Sequence, residues 1–301
     1  MTIPVTSILP RSEESIVVIG DERGIISILG MDGTVVSRLE QLAGAPITSL
    51  AVSQDSALLM ASNRDGGMAV WKHGEGEVVD EFRAEHGAVQ CLVLAPHNYV
   101  TVARSEGTRW SASPIGGVMP EPIAGTGPVP LTVHAVAAAG NYLLLLSGFT
   151  CILWDHRRKV IADSFTPVDA SAFLYTDGDV GISAGGKFFY IYWDDFLLFD
   201  VAAQRLVRRH PILTQAISTT LSGDGQRLAI GGRHGLITIM GVNDRAMIET
   251  APANSDIVRL AITSDAGMLG FIDAEGNAGV IAVETGDVLL GGERIATALE
   301  K

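Results

Sequence analysis

Seven times along its 301 residues the chain opens a short apolar run in the same way, at Val5, Ile47, Val89, Val133, Ala172, Ile217 and Val258. The intervals between these residues are 42, 42, 44, 39, 45 and 41. Such a period marks one supersecondary unit written over and over, and a unit of roughly 40 residues cannot bury both of its faces alone. Each copy therefore needs its neighbours as walls.

Within a unit the grammar repeats. A first strand such as "ITSLAVS" or "VRLAITS" leads through a polar corner, clearest in "SGDGQ" at 222–226, to a second strand such as "ALLMAS", "YLLLLSG" or "RLAIGG". A tight turn follows, "RDGG" at 64–67 or "RHG" at 233–235, and then a third strand, "MAVWK", "CILWD" or "LITIMG". A more polar fourth strand, "EVVDEF" or "KVIADSF", closes the unit. The middle strands read as nearly continuous apolar runs, which is the pattern of a sheet covered on both faces, whereas the outer strand meets water at its edge. Seven stacked sheets of this kind close into a ring, so the predicted fold is all-β, a seven-bladed β-propeller of four-stranded antiparallel blades. We place the blades at about 1–42, 43–84, 85–128, 129–168, 169–212, 213–253 and 254–301, in a single domain over 1–301. The fifth blade has two possible registers, with its third strand at "FFYIYWD" or at "DFLLFD".

Several stretches resemble the WD-repeat β-propellers. "SNRDGGMAVW", 62–71, is similar to that family's passage from second strand through turn to third strand, with Asp65 in the turn and Trp71 after it. "ILWD" at 152–155, "YWD" at 192–194 and "LFD" at 198–200 resemble its closing Trp-Asp signature, and His86 stands near its Gly-His position. The family's hydrogen-bonded set of Ser/Thr, Asp, Trp and His is complete in no blade. Arg23, Glu106 and His234 occupy the turn Asp position, and Leu29, Met240 and Ile281 the Trp position. The resemblance thus implies a divergent member held together by aliphatic packing, and a role as a protein-interaction scaffold or complex subunit. The chain starts on an innermost strand and reaches an outermost one near Asp287–Leu290, so interlocking closure requires that the tail "GGERIATALEK" add a strand.

Charge narrows the partner class. Twenty-one basic against 34 acidic residues leave a net −13, which repels phosphate backbones and anionic lipid surfaces, so no nucleic acid is expected. The uncharged stretch Leu131–Trp154 is long enough to span a bilayer, but Gly140-Asn141 and Ser147-Gly148 punctuate it as turns, and we predict three buried strands. No leader-like basic start with a long apolar stretch precedes the first repeat, so a cytoplasmic location is expected. Cys91 and Cys151 lie in apolar runs as small hydrophobes.

Chemistry has little to attach to. The seven histidines are scattered, and no His-Glu-x-x-His, Cys-x-x-Cys or Gly-x-Ser-x-Gly occurs, so no catalytic residue, metal or cofactor is assigned. Asp55, Asp177, Asp224 and Asp265 fall on first-to-second-strand corners, where Asp organises its own backbone. Trp71 and Trp154 end third strands and are predicted to be core. The clusters "HRRK" (156–159) and "RRH" (208–210) are predicted to be solvated charge. The remaining pattern is geometric. Arg23, Arg64, Arg104 and Arg233 fall on second-to-third-strand turns of different blades, which emerge on one face. With Asp21, Glu22, Asp65, Glu106, His234 and Glu275 they form a mixed-charge ring, in which Arg23, Arg64, Asp65, Arg104, Glu106, Arg233 and His234 are the candidate partner-binding residues. The competing reading is a propeller enzyme or small-ligand binder, lactonase-like or quinoprotein-like, using the central channel.

Overall fold

The computed structural model describes residues 3–52, 57–83, 89–93, 99–105, 109–114, 121–122, 133–139, 142–147, 150–155, 158, 160–165, 179–183, 188–192, 195–200, 203, 205–211, 216–242 and 247–300. Among these described residues, twenty-eight strands form seven four-stranded antiparallel sheets, each built from four consecutive strands in order. The first blade has β1 (Val5–Arg11), β2 (Ile16–Asp21), β3 (Ile26–Gly30) and β4 (Val35–Leu39). The second has β5 (Ile47–Val52), β6 (Leu58–Asn63), β7 (Gly67–Lys72) and β8 (Val78–Arg83). The third has β9 (Val89–Val93), β10 (Tyr99–Ser105), β11 (Arg109–Pro114) and β12 (Glu121–Pro122), and the fourth β13 (Val133–Ala139), β14 (Tyr142–Ser147), β15 (Thr150–Asp155) and β16 (Val160–Phe165). The fifth comprises β17 (Asp179–Ile182), β18 (Phe188–Tyr192), β19 (Asp195–Asp200) and β20 (Arg205–Pro211). The sixth comprises β21 (Ser218–Leu221), β22 (Arg227–Gly231), β23 (Ile237–Gly241) and β24 (Met247–Thr250). The seventh has β25 (Ile257–Ile262), β26 (Met268–Asp273), β27 (Ala278–Ala282) and β28 (Val288–Leu290), and is followed by helix α1 (Gly292–Glu300).

Each first strand touches the first strand of the next blade, and β25 touches β1, so the sheets stand in a closed ring with their first strands innermost. The cores lie between blades. Val18, Ile26, Ile28 and Leu39 of the first blade pack on Ile47, Leu59, Ala61 and Trp71 of the second. Phe188, Tyr190, Phe196 and Leu198 meet Leu221, Leu228, Ile230 and Met240, and Ala229, Ile237 and Ile239 meet Ile257, Leu269, Phe271 and Ile281. A glycine late in the second strand makes room for the branched residue that opens the next blade. A Cβ on Gly20 would lie 2.5 Å from Ile47 Cγ2, and one on Gly231 2.6 Å from Ile257 Cγ2.

The first and last blades meet in the same way as internal neighbours. The Ile257 N–H donates to Gly232 O at 2.9 Å where the seventh blade joins the sixth, and the Val5 N–H donates to Gly276 O at 2.9 Å where the ring closes. Among the described residues no strand crosses between sheets. The tail, a possible extra strand from sequence, is instead α1, which buries Ile295, Ala298 and Leu299 in the core shared by β1–β3 and β26–β28. Its last turn has no basic residue of its own. Blade one supplies the cations: Arg38 Nη2 donates to Ala298 O at 2.6 Å and Arg23 Nη2 to Leu299 O at 3.3 Å, satisfying carbonyls that the helix end leaves open.

The stretch 131–154 contains strands β13, β14 and β15, as predicted, and no helix among the described residues is long and apolar enough to cross a membrane. Two expectations need correction. The fifth blade's inner strand is β17, beginning at Asp179 rather than Ala172, which lies outside the described residues. Of the two registers open in the sequence, the third strand is "DFLLFD" and "FFYIY" is the second, so Tyr192 of "YWD" ends a second strand, with Trp193 and Asp194 outside the described residues. "ILWD" and "LFD" do close third strands.

Trp71 is fully buried and its Nε1–H donates to Gln41 Oε1 at 3.0 Å. Trp71→Ala is expected to lower the unfolding free energy by about 3–5 kcal/mol. Urea denaturation checks this, through a lower midpoint at unchanged slope.

Candidate functional site

In blades one, two and seven the second-to-third-strand turn is held from beneath by the side chain that ends the second strand. Asp21 is completely buried, and its Oδ1 accepts the N–H groups of Arg23 at 2.9 Å and Ile25 at 3.0 Å. Asp273 does the same for Glu275 at 3.0 Å and Asn277 at 2.9 Å. In blade two the residue is Asn63, whose Oδ1 accepts Gly67 N–H at 2.7 Å while its Nδ2 donates to Leu42 O at 3.1 Å. A buried polar group satisfied this way fixes the loop that it underlies. Asp21, expected in the exposed mixed-charge ring, is instead buried beneath its turn because its carboxylate is committed to backbone N–H groups; the same role of Asn63 and Asp273 leaves no signal at the turn tip.

The predicted ring residues separate into distinct classes. Arg64 and Asp65 are exposed at the tip of the second blade's turn, and Arg233 and His234 at that of the sixth. His234 adopts a left-handed backbone, φ 54°, and its N–H donates to Asp256 Oδ1 at 3.1 Å. Glu22 and Glu275 are exposed on the turns of the blades between them. Four consecutive blades, six, seven, one and two, thus present an arc with guanidinium groups at its ends and carboxylates in its middle. Arg23 does not join it. Its Nη2 lies 2.6 Å from buried Asp21 Oδ2 and also bonds α1, so its charge is spent inside the fold. Arg104 is a correction too: it lies within β10, paired with Trp110, rather than on the turn. Glu106 lies outside the described residues.

The corner carboxylates serve the backbone. Asp224 Oδ1 accepts Gln226 N–H at 2.9 Å, and Asp265 Oδ1 accepts Thr263 Oγ1–H at 2.6 Å and Gly267 N–H at 3.0 Å. Asp55 and Asp177 lie outside the described residues. For Asp265, burial acts to raise the carboxyl pKa, and the hydrogen bonds from Thr263, Gly267 and Ser12 outweigh it, holding the group below the usual aspartate value. Elsewhere, His73 Nε2 and Glu14 Oε2 stand 2.6 Å apart at the mouth of a cleft floored by Leu59 and Trp71 between blades one and two. Among the described residues no three His, Cys, Asp or Glu side chains gather closely enough to hold a metal ion. One cation was overlooked by the sequence reading: Arg259, on the innermost strand β25, reaches Thr48 O of blade two at 3.1 Å.

No family model matches the chain, and no curated protein matches it. Among solved structures it is similar to the β-propeller domain of Cps50 (Swd1) from Myceliophteria thermophila. The TM-score is 0.73 at 13% identity, over 92% of this chain and 95% of that one. At that identity the likeness shows the fold.

The Asp265 network carries a pH consequence. A carboxyl with a lowered folded pKa stabilises the fold above its unfolded value, near 3.9, and that contribution disappears as pH falls through the folded value. Asp265→Asn is therefore expected to melt below the parent protein at pH 7, with the gap closing on acidification below pH ~4. Paired melting curves across that range check it.

Proposed function

We propose that this chain is a non-catalytic propeller scaffold that docks other proteins on its second-to-third-strand turns, with Arg64, Asp65, Arg233 and His234 as the principal contacts. One observation carries the reading. Arg64 stands exposed on a turn held by buried Asn63, and Arg233 on a turn whose His234 N–H is bonded by Asp256, both with no carboxylate partner among the described residues. Arginine on a rigid loop is a favoured interface residue, because its planar fork bonds acidic side chains and backbone carbonyls while its rim packs on apolar groups. The exposed Glu22 and Glu275 between them supply the opposite sign, so a partner must match an alternating pattern rather than a uniformly charged surface.

The alternation also bears on the choice of partner. A polyanion that suits the two arginines would meet two carboxylates on the same arc and a protein of net −13 behind it, and is repelled. A folded protein or peptide of mixed charge is not.

Reversing both charges, Arg64→Glu with Arg233→Glu, is expected to remove specific proteins from those captured by the tagged chain in its native host. The melting temperature should stay within about 1–2 °C of the parent, since both side chains are exposed. Quantitative mass spectrometry of parallel pull-downs measures this. An identical captured set would take this face out of consideration.

A further inference from the structure

Four innermost strands carry the same irregularity. The register of β1 slips between Val5 and Ser7, of β5 between Ile47 and Ser49, of β13 between Val133 and Ala135, and of β25 between Ile257 and Arg259. The extra residues are Thr6, Thr48, His134 and Val258. A bulge of this kind bends the strand and re-aims the side chains beside it. In blades one and two the threonine hydroxyl then bonds back to the second strand, Thr6 Oγ1 to Gly20 O at 3.1 Å and Thr48 Oγ1 to Ser62 O at 3.3 Å. After the bulge, three of the strands have a small residue: Ser7, Ser49 and Ala135. The seventh blade has Arg259.

That substitution by position is chemically large. Val258 and Arg259 are both exposed on the wall of the channel, where the equivalent Ser7 is buried. The Arg259 side chain runs past the inner strand of blade one, and its Nη1 donates to Thr48 O of blade two at 3.1 Å. This anchor is a neutral carbonyl. Among the described residues no carboxylate reaches the guanidinium, and the parallel Nε–H and Nη2–H of its other edge have no partner. The inner strands strip enough water from it that desolvation pulls its pKa below the usual arginine value. A cation anchored to a neutral carbonyl at one edge and exposed at the other contributes little to the fold, and its free edge is open to a ligand.

We propose that the central channel binds a carboxylate, gripped side-on by the Nε and Nη2 edge of Arg259. Two parallel N–H donors match the two oxygens of a carboxylate in plane, which makes the contact bidentate. One guanidinium neutralises one charge. In a chain of net −13 a singly charged carboxylate is therefore favoured over a phosphate monoester, whose second charge would stay uncompensated. The carboxylate is either a free small acid or the side chain of an acidic residue in a peptide, and the experiment separates these sources. The site lies on the innermost strands of blades seven and two and does not rest on the docking role of the outer turns.

The full chain labelled with 15N-arginine is titrated with sodium acetate against sodium chloride at equal ionic strength, following the Nε–Hε resonances. One resonance is expected to shift saturably in acetate alone, and to be missing from Arg259→Gln, whose melting temperature should match the parent. A fluorescent N-acetyl peptide with one glutamate in an alanine background is measured alongside its glutamine version by polarisation. Preference for glutamate by about tenfold or more, lost in Arg259→Gln and reduced in Arg259→Lys, assigns the site to an acidic residue of a partner. An acetate response without peptide preference assigns it to free small acids. Absence of both responses, or their survival in Arg259→Gln, overturns the proposal. The double variant of Arg64 and Arg233 should keep the acetate response, so failure of the docking face is read separately.

Discussion

Neither face of any blade has a cover of its own, and the exclusion of water between adjacent blades is the interaction on which everything else here depends. Every hydrophobic cluster named above has contributors from two neighbouring sheets, and the fully buried Trp71 fills such an interface. Burial at about 25 cal/mol per Å² acts across seams rather than within sheets. Seven sheets in a row would leave two faces wet. The ring removes them, and α1 lays Ile295, Ala298 and Leu299 on the last junction while Arg23 and Arg38 hold its carbonyl end. A chain without strand exchange thus gains a second fastening at the one junction that lacks covalent continuity.

The same arrangement explains where function has room to exist. Strands committed to inter-blade packing can vary little, because a single Cβ at Gly20 would collide with Ile47. Turns above buried Asp21, Asn63 and Asp273, and inner-strand positions beyond a bulge, are released from that constraint. Arg64 uses the first freedom and Arg259 the second, while Arg233 stands on a turn tied instead to Asp256. The contrast with Arg23 is instructive: an identical residue type on an identical turn is neutralised when a buried carboxylate and a helix end come within reach.

Much of the architecture was legible in the sequence because a period of about 40 residues and unbroken aliphatic runs are dictated by the packing itself. The fifth blade was misaligned for a physical reason. "FFYIYWDDFLLFD" holds two equally apolar strands, and the turn between them lacks the glycine that marks the hairpins at 64–67 and 233–235. The helix was written as spaced Ile295, Ala298 and Leu299, a helical rather than alternating pattern, where interlocking closure would have needed a strand. Of the candidate site, the exposed turn arginines were legible. The quenching of Arg23 was not, because it depends on Leu299, 276 residues away, and Arg259 was not, because a bulge breaks the alternation by which a strand's faces are read.

Native-state hydrogen exchange compares the closing junction with an internal one most directly. The amides of β1 and β27 should exchange only through the same global opening as those of β6 and β7, with equal free energies and equal dependence on denaturant. Exchange of β1 and β27 through a separate, lower-energy opening that leaves β6 and β7 protected would show that the ring is not sealed by the packing described, and would contradict the account.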